Sequence, residues 1–286
     1  MRRPVITGVL VVALAAGGAA FRPVEPAPEI RALAAPAAES ARPVADDAAP
    51  KPADQVRGER LLKKAGALLA DAESVRMKAE VRQGAKHVRT DIRMDHDGNC
   101  AGTVDDGAGV TADVIYLVAD KEEGEGDAYL KYPDSALAAL QVKAEARGPE
   151  VAARMREFVV RIRGKYVKAP DGPKGAQAVG KQCTLGRTLA QGMTGEAEGT
   201  RARPVVRRDG TRMVPLLPPK DGADDGTGTA YVEADGDPYL RSLNGTSGTM
   251  RIDIDFSAYD APLTVRRPDP SQVVEVPRGD GSVFEV

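Results

Sequence analysis

The chain has no tryptophan, only two cysteines and two histidines, and an aromatic fraction of 4%. Cysteine and histidine supply most ligands of zinc and other transition metals, so their scarcity leaves little material for such a centre. No Cys-x-x-Cys pair occurs, and a thiol redox role is therefore not indicated. The sequence predicts neither a metal site nor a redox site.

Clustered charge is also missing. The 40 basic and 42 acidic residues nearly cancel, and both signs are spread along the chain. A protein that binds nucleic acid usually gathers its basic residues on one face. We therefore expect no nucleic-acid partner.

Familiar catalytic patterns are absent as well. The chain contains no Gly-x-Ser-x-Gly, no His-Glu-x-x-His and no Ser-x-x-Lys. Its Gly-Lys pairs, at Gly164 and Gly180, lack the glycine-rich lead and the Ser or Thr of a phosphate loop. The sequence predicts a protein that is not an enzyme and carries no cofactor.

The histidines are the remaining candidates for metal ligands. His87 and His96 lie close together in sequence, and Asp95 and Asp97 flank the second. Histidine with carboxylate suits zinc, but these residues fall at strand ends and turns, where polar side chains are ordinarily solvated. The solvated interpretation is favoured, and no metal ligand is predicted.

One long apolar run is present, near the start of the chain. Met1–Arg3 is basic, Val5–Ala20 is apolar, and the run ends in small residues. These are the parts of a secretory signal, so residues 1–21 are predicted to be a signal peptide or a retained signal anchor. The protein is then extracytoplasmic, either secreted or anchored to the outer face of the cytoplasmic membrane.

The Ala/Pro-rich segment 22–54 follows the apolar run and is predicted to be a disordered tether. Proline removes backbone donors and alanine buries little surface, so the segment cannot offset its ordering entropy. A globular domain is expected over 55–276, and a flexible tail over 277–286.

Periodicity defines the elements of the domain. Apolar residues at helical spacing predict a helix over 61–72, and strict alternation then predicts a hairpin of strands 75–81 and 88–94. Further strands are predicted at 100–104, 110–118, 129–131, 203–207, 211–216, 229–234, 239–243 and 250–256, and further helices at 151–162 and 185–193. This order favours an α+β fold in which a curved antiparallel sheet carries its helices on one face.

The two cysteines, Cys100 and Cys183, lie far apart in a chain predicted to be exported. Such a pair most often forms a structural disulfide, although free thiols remain the alternative. The bond would close a long loop, which the chain-entropy model values at about 3–5 kcal/mol.

Three segments carry a family resemblance. They are DGNCAGTV at 97–104, GTAYVEADGDPYLRSL at 228–243 and FSAYDAPLTVRRP at 256–268. Together with the order of elements over 55–276, they resemble the exported actinobacterial LppX/LprG-type lipoproteins and the LolA-like half-barrel superfamily. The high alanine, valine, glycine and arginine content also fits an actinobacterial source. The chain departs from these lipoproteins because no cysteine follows its apolar run, and such a cysteine is needed for lipid attachment.

The resemblance implies a half-barrel whose concave face, roofed by helices, holds acyl chains. The apolar, inward-facing strand positions would line the ligand-binding site: Val75, Met77, Ala79, Val81, Ile92, Met94, Met250, Ile252, Ile254 and Phe256. An ordinary packed core is the other interpretation of the same positions.

The function expected is therefore a non-catalytic, extracytoplasmic binding protein for a lipid or other apolar small molecule. The alternative is a protein-interaction or sensory module of the cell envelope on the same fold, with an envelope protein as partner and no bound lipid. Membrane contact is expected only through an uncleaved N-terminal segment or during ligand transfer.

Overall fold

The structure is a computed structural model that describes residues 50–119, 126–171, 175–219 and 227–275. The predicted signal at 1–21, the tether up to residue 49, and residues 276–286 lie outside these ranges. Within them the chain folds into helices α1–α5 and strands β1–β13.

The helices are α1 (Ala53–Asp71), α2 (Asp134–Glu145), α3 (Pro149–Ile162), α4 (Ala176–Cys183) and α5 (Leu185–Gly195). The strands of the first half are β1 (Ser74–Gln83), β2 (Lys86–Asp95), β3 (Cys100–Asp105), β4 (Thr111–Val118), β5 (Gly126–Lys131) and β6 (Tyr166–Lys168). Those of the second half are β7 (Arg201–Ala202), β8 (Val206–Arg208), β9 (Thr211–Leu217), β10 (Thr227–Glu233), β11 (Leu240–Ser247), β12 (Met250–Ser257) and β13 (Val273–Glu275).

All these strands belong to one open, curved sheet. Its order is β13-β6-β5-β4-β3-β2-β1-β12-β11-β10-β9-β7, and β8 pairs with β9 at the far edge. The predicted α+β class, with a curved sheet that carries helices on one face, is confirmed.

The sheet is mixed rather than wholly antiparallel. Strand β13 runs parallel to β6, while the other pairings among the described strands are antiparallel. A hairpin forces antiparallel pairing, but β13 is reached through the long segment 258–272. That connection is long enough to bring the chain back in either direction.

The first helix and the first strand show why the elements form where they do. Apolar residues recur along α1 at helical spacing, and its Ala65 and Leu69 are buried in the core that packs on the sheet. At Ala72 the backbone turns to extended angles, φ −62° and ψ 129°. The pattern changes to period two in β1, so the side chains of alternate residues point to opposite faces.

Helices α1, α4 and α5 share one core with the apolar face of β1, β2 and β12. Helices α2 and α3 form a second core, in which Phe158 and Ile162 pack with Val167 of β6. The register pairs Val167 with Leu130, which contacts the first core, so both groups of helices lie on the same side of the sheet. We call this side the concave face and the other the convex face.

Two helices were not predicted from the sequence. Helix α2 has an alanine-rich stripe with a low hydrophobic contrast, and α4 has only eight residues, fewer than the window over which a helical period is identified. Small residues give little periodic signal because they differ little from their neighbours in hydrophobicity.

The predicted strand at 203–207 is wrong. Strand β7 ends at Ala202 and β8 begins at Val206. Pro204 lies in the gap and has no backbone N–H to donate, so it interrupts the ladder along β9.

On the convex face a segment without regular structure, the strap (258–269), crosses from β12 towards β13. The Arg93 guanidinium donates to the carbonyls of Ala261 and Pro262, at 3.1 and 3.0 Å. Arg267 pairs with Asp127 on β5 at 2.7 Å. In the described part of the chain, no helix combines the length and the apolar character needed to cross a bilayer.

Candidate apolar binding site

The strand register brings the predicted lining positions onto one surface. Met77 of β1 is paired with Ile92 of β2 on one side and with Phe256 of β12 on the other. One step along, Ala79 is paired with Ile254. We call the concave surface of β2, β1 and β12 the trough.

Burial changes along the trough. Its buried members, each at most 5% exposed, are Val75, Met77, Ile92, Met94, Ile254 and Phe256. Its half-buried members, which we call the mouth, are Ala79, Val81, Met250 and Ile252. The mouth lies where β1–β2 and β11–β12 make their hairpin turns. The trough therefore passes from a covered end to a partly open one.

At the covered end α5 lies directly on the sheet. A β-carbon built on Gly186 would be 2.9 Å from the Met94 sulfur, so a side chain there would have to displace Met94. A narrow cleft of about 30 Å³, close to the size of one water molecule, remains between α1, α5 and β2. This end is packed as a core.

The disulfide holds the same end. Cys100 of β3 and Cys183 of α4 are bonded, with their Cα atoms 5.6 Å apart. Cys100 is paired in register with Met94, so the bond joins the strand next to the trough to the end of α4. It is the one covalent link among the described residues between sheet and roof.

Two of the buried trough residues are methionines, Met77 and Met94, and Met193 of α5 is buried in the same core. Methionine is unbranched and polarisable, and its rotamers can change at small cost. A surface with several methionines can therefore adapt to apolar groups of different shape.

Tyr116 of β4 is a residue of this interior that the sequence reasoning did not single out. It is fully buried, and its hydroxyl has no hydrogen-bond partner. Loss of hydration raises the pKa of the Tyr116 phenol. The available signal was the alternation of Ala112, Val114 and Tyr116, which places the tyrosine among inward-facing residues.

Charged side chains alternate with the trough residues and form pairs on the convex face. The Arg76 guanidinium donates two hydrogen bonds to the Asp91 carboxylate, both 2.7 Å long. These bonds hold the pKa of Asp91 below its ordinary value. Arg251 also pairs with Asp253 on β12, at 2.9 Å. The polar and apolar halves of each strand are thus segregated by face.

The candidate metal ligands do not converge. The His87 ring nitrogen lies 2.5 Å from a Glu80 oxygen, while Asp95 accepts hydrogen bonds from the backbone and side chain of Asn99. The His96 carbonyl accepts a hydrogen bond from Arg187. Over the ranges that the structure describes, no group of three or more potential ligands has metal-binding geometry.

A larger hollow, of about 310 Å³, lies beside the strap. Tyr129, Lys168 and Arg267 line it, and Asp127 binds both cations, at 2.6 Å from Lys168 and 2.7 Å from Arg267. Its lining is charged and polar, so its surface differs in chemistry from the trough.

Comparison with protein-family models finds no match, and comparison with curated proteins finds none either. Among solved structures the chain is similar to LprF from Mycobacterium bovis, with 15% identity, a TM-score of 0.48, and coverage of 74% of this chain and 97% of that one. It is also similar to the lipoprotein LppX from Mycobacterium tuberculosis, with 12% identity, a TM-score of 0.39, and coverage of 74% and 99%. A conserved protein from Thermus thermophilus matches at 11% identity and a TM-score of 0.35, with coverage of 77% and 99%. The fold itself is defined by the strand order and helix placement given above.

Proposed function

We propose that this protein is an extracytoplasmic binding protein that holds an apolar ligand, such as the acyl chain of a lipid, without altering it chemically. The ligand lies across the mouth, and it extends towards the covered end as the flexible side chains of Met77 and Met94 change rotamer to admit it. The family resemblance of the sequence and the apolar character of the trough support this proposal.

The observation that carries the proposal is the half-buried mouth. Val81 and Ile252 are paired in register, continuous with the buried residues Met77 and Phe256, yet they are not themselves fully covered. An ordinary core would bury such large apolar side chains, because exposing them forfeits about 25 cal/mol per Å². An apolar ligand that lies across the mouth completes the burial.

The energy available from such burial is sufficient for binding. Each methylene removed from water contributes about 0.8 kcal/mol, so ten of them correspond to roughly 8 kcal/mol before the cost of immobilisation. That gross value corresponds to a Kd of about 1 μM. Few polar contacts are then needed.

The predicted signal segment and the disulfide support a site of action outside the cytoplasm. Disulfides persist in oxidising compartments and are rare in the cytosol. The protein is released there, or is held to the outer face of the cytoplasmic membrane through an uncleaved N-terminal segment.

The direct test is mass spectrometry of lipids extracted from the full chain after purification from an envelope fraction. We expect acyl lipid in stoichiometric amount with the unaltered protein. The variant Ile252→Glu places a charge in the mouth and is expected to lose the lipid.

The matched control is Thr246→Glu. Thr246 lies on β11 at the same end of the sheet but is exposed and belongs to the convex face. It should retain the lipid. Absence of lipid from the unaltered protein and from the control would refute the proposal.

A second function, a protein-interaction or sensory module of the envelope, is favoured by one observation. Val142 of α2 and Val160 of α3 are 66% and 81% exposed, the largest values among the exposed large hydrophobic residues described. An envelope complex that is lost in Val142→Asp with Val160→Asp, found together with a lipid-free interior, would establish this alternative.

A further inference from the structure

A buried hydroxyl without a partner lies beside the covered end of the trough, two strands beyond β2. Tyr116 is paired in register with Cys100, which is paired with Met94, so the three residues form one row across β4, β3 and β2. Tyr116 is 0% exposed, and its hydroxyl oxygen accepts and donates no hydrogen bond. A buried polar group in this state costs free energy, which calls for a physical reason.

Other tyrosines of the domain do not share this state. The Tyr259 hydroxyl donates to the carbonyl of Leu240 at 2.7 Å, and the Tyr129 hydroxyl donates to Asp127 at 3.2 Å. Buried tyrosines usually find such a partner. The Tyr116 hydroxyl therefore differs from those of Tyr129 and Tyr259.

Two glycines in the surrounding backbone leave the space that the phenol occupies. A β-carbon on Gly180 of α4 would lie 2.6 Å from the hydroxyl oxygen, and one on Gly126 of β5 would lie 2.8 Å from it. Neither glycine has the positive φ that would explain it by a turn. Both glycines leave room for the tip of the Tyr116 ring, so a phenylalanine would satisfy the packing with less cost.

The roof over this hydroxyl is light. Helix α4 buries Ala176, Gly180 and Cys183, all small, against the core. Little apolar area holds it in place, and its C-terminal end is tethered to β3 by the disulfide. Val179 also packs against the core, and the disulfide fixes the C-terminal end of α4. A shift of the rest of the helix away from β4 and β5 therefore exposes less apolar area than the shift of a helix that buries several large side chains.

We propose that the Tyr116 hydroxyl donates a hydrogen bond to an oxygen acceptor of the bound ligand, such as an ester or carboxyl oxygen. The apolar part of that ligand lies along the trough. Its acceptor reaches the hydroxyl when α4 shifts away from β4 and β5, because Gly126 and Gly180 enclose the phenol tip in the structure. This inference rests on the proposed binding function, and it deepens that function by giving the ligand a polar group and by fixing its orientation.

The test uses the full chain, stripped of lipid, and two fluorescent probes. The methyl ester of cis-parinaric acid carries an ester carbonyl, whereas diphenylhexatriene is a hydrocarbon without an acceptor. In Tyr116→Phe we expect binding of the ester to weaken about 3- to 10-fold, the value of one neutral hydrogen bond. Binding of diphenylhexatriene should not change.

Thermal unfolding without ligand gives a second readout. Tyr116→Phe removes an unpaired hydroxyl, so Tm should rise by about 2–4 °C. The matched control Tyr259→Phe removes a paired hydroxyl, so its Tm should fall while its ratio of ester to hydrocarbon affinity stays unchanged. A fall in Tm for Tyr116→Phe would mean that water or protein satisfies the hydroxyl in the free protein, which overturns the inference.

Different results would refute the proposed function and the role of Tyr116. If the unaltered protein binds neither probe, the proposed function fails. If it binds both, and Tyr116→Phe binds the ester equally well, the function stands and the role of Tyr116 is refuted.

Discussion

The two faces of β1, β2 and β12 are made by alternate residues of the same strands, yet they are held in different ways. On the concave face Met77 is 1% exposed, whereas the neighbouring Lys78 side chain on the convex face is 55% exposed. Burial of apolar side chains and a disulfide stabilise the concave face, whereas solvent-exposed ion pairs join the side chains of the convex face. Since exposed ion pairs contribute at most about 1 kcal/mol each, the concave face carries most of the stability. The proposed binding surface is therefore also the structural core.

The largest effect is expected from the bond that ties the concave face to its roof. The Cys100–Cys183 disulfide joins residues 83 apart in sequence, and the chain-entropy model gives about 4–5 kcal/mol for a loop of that size. The double variant Cys100→Ser, Cys183→Ser should lower the free energy of unfolding by about this amount in urea denaturation. A reducing agent should destabilise the unaltered protein similarly and leave the double variant unchanged. Equal stability with and without the reductant would contradict the disulfide.

Removal of one large side chain from the concave face should cost nearly as much. Phe256 is 2% exposed, and Phe256→Ala should lower the free energy of unfolding by about 3–5 kcal/mol. Its neighbour Asp255 is exposed on the convex face, and Asp255→Ala should change stability by no more than about 0.5 kcal/mol. Equal losses in the two variants would show that the faces are not energetically distinct.

The smallest effect concerns carboxylates on the convex face and depends on pH. Hydrogen bonds from Arg76 lower the pKa of Asp91 in the folded protein, so ionised Asp91 stabilises the fold at pH values above its unfolded pKa, which is near 4. This stabilisation is lost as pH falls through the folded pKa. The Asp91 side chain is 35% exposed, so solvent screens the pair. Asp91→Asn should cost about 1 kcal/mol or less at pH 7, and this cost should shrink as pH falls through the folded pKa of Asp91.

Asp255 provides the comparison of opposite sign. Desolvation raises its pKa, so ionisation opposes folding as pH rises through that value. Asp255→Asn should therefore stabilise the protein slightly at pH 7, with no difference at low pH where both states are protonated. Urea denaturation of the two variants at several pH values checks both signs. Effects of the same sign would contradict the assignment.

Much of the fold could be predicted because its signals are local. The alternation in β1 and β12 identifies which residues share a face, and the end of α1 is marked by a change of period. Strand order could not be predicted in this way. Strands β1 and β12 are neighbours in the sheet although about the whole domain separates them in sequence. Only packing of the whole domain selects that pairing.

The proposed binding site likewise has features that the sequence predicts and features that depend on the tertiary structure. The apolar character of Val81 and Ile252 is evident from their alternation with polar residues. Their partial exposure depends on how far the helices on the concave face extend over the sheet. Tyr116 illustrates the limit most clearly. Its inward direction follows from β4, whereas its lack of a partner depends on Gly126 of β5 and Gly180 of α4.

The amino-acid sequence alone determined the α+β class, the apolar face of each major strand, and the pair of cysteines available for a disulfide. The class and the apolar faces follow from backbone geometry, which sets a period of two in strands and 3.6 in helices, and the cysteine pair follows from composition. The tertiary structure decided the strand order, the passage from covered end to mouth, and the isolation of the Tyr116 hydroxyl. Those features arise from contacts between residues remote in sequence, whose free energies depend on burial and packing that no local pattern contains.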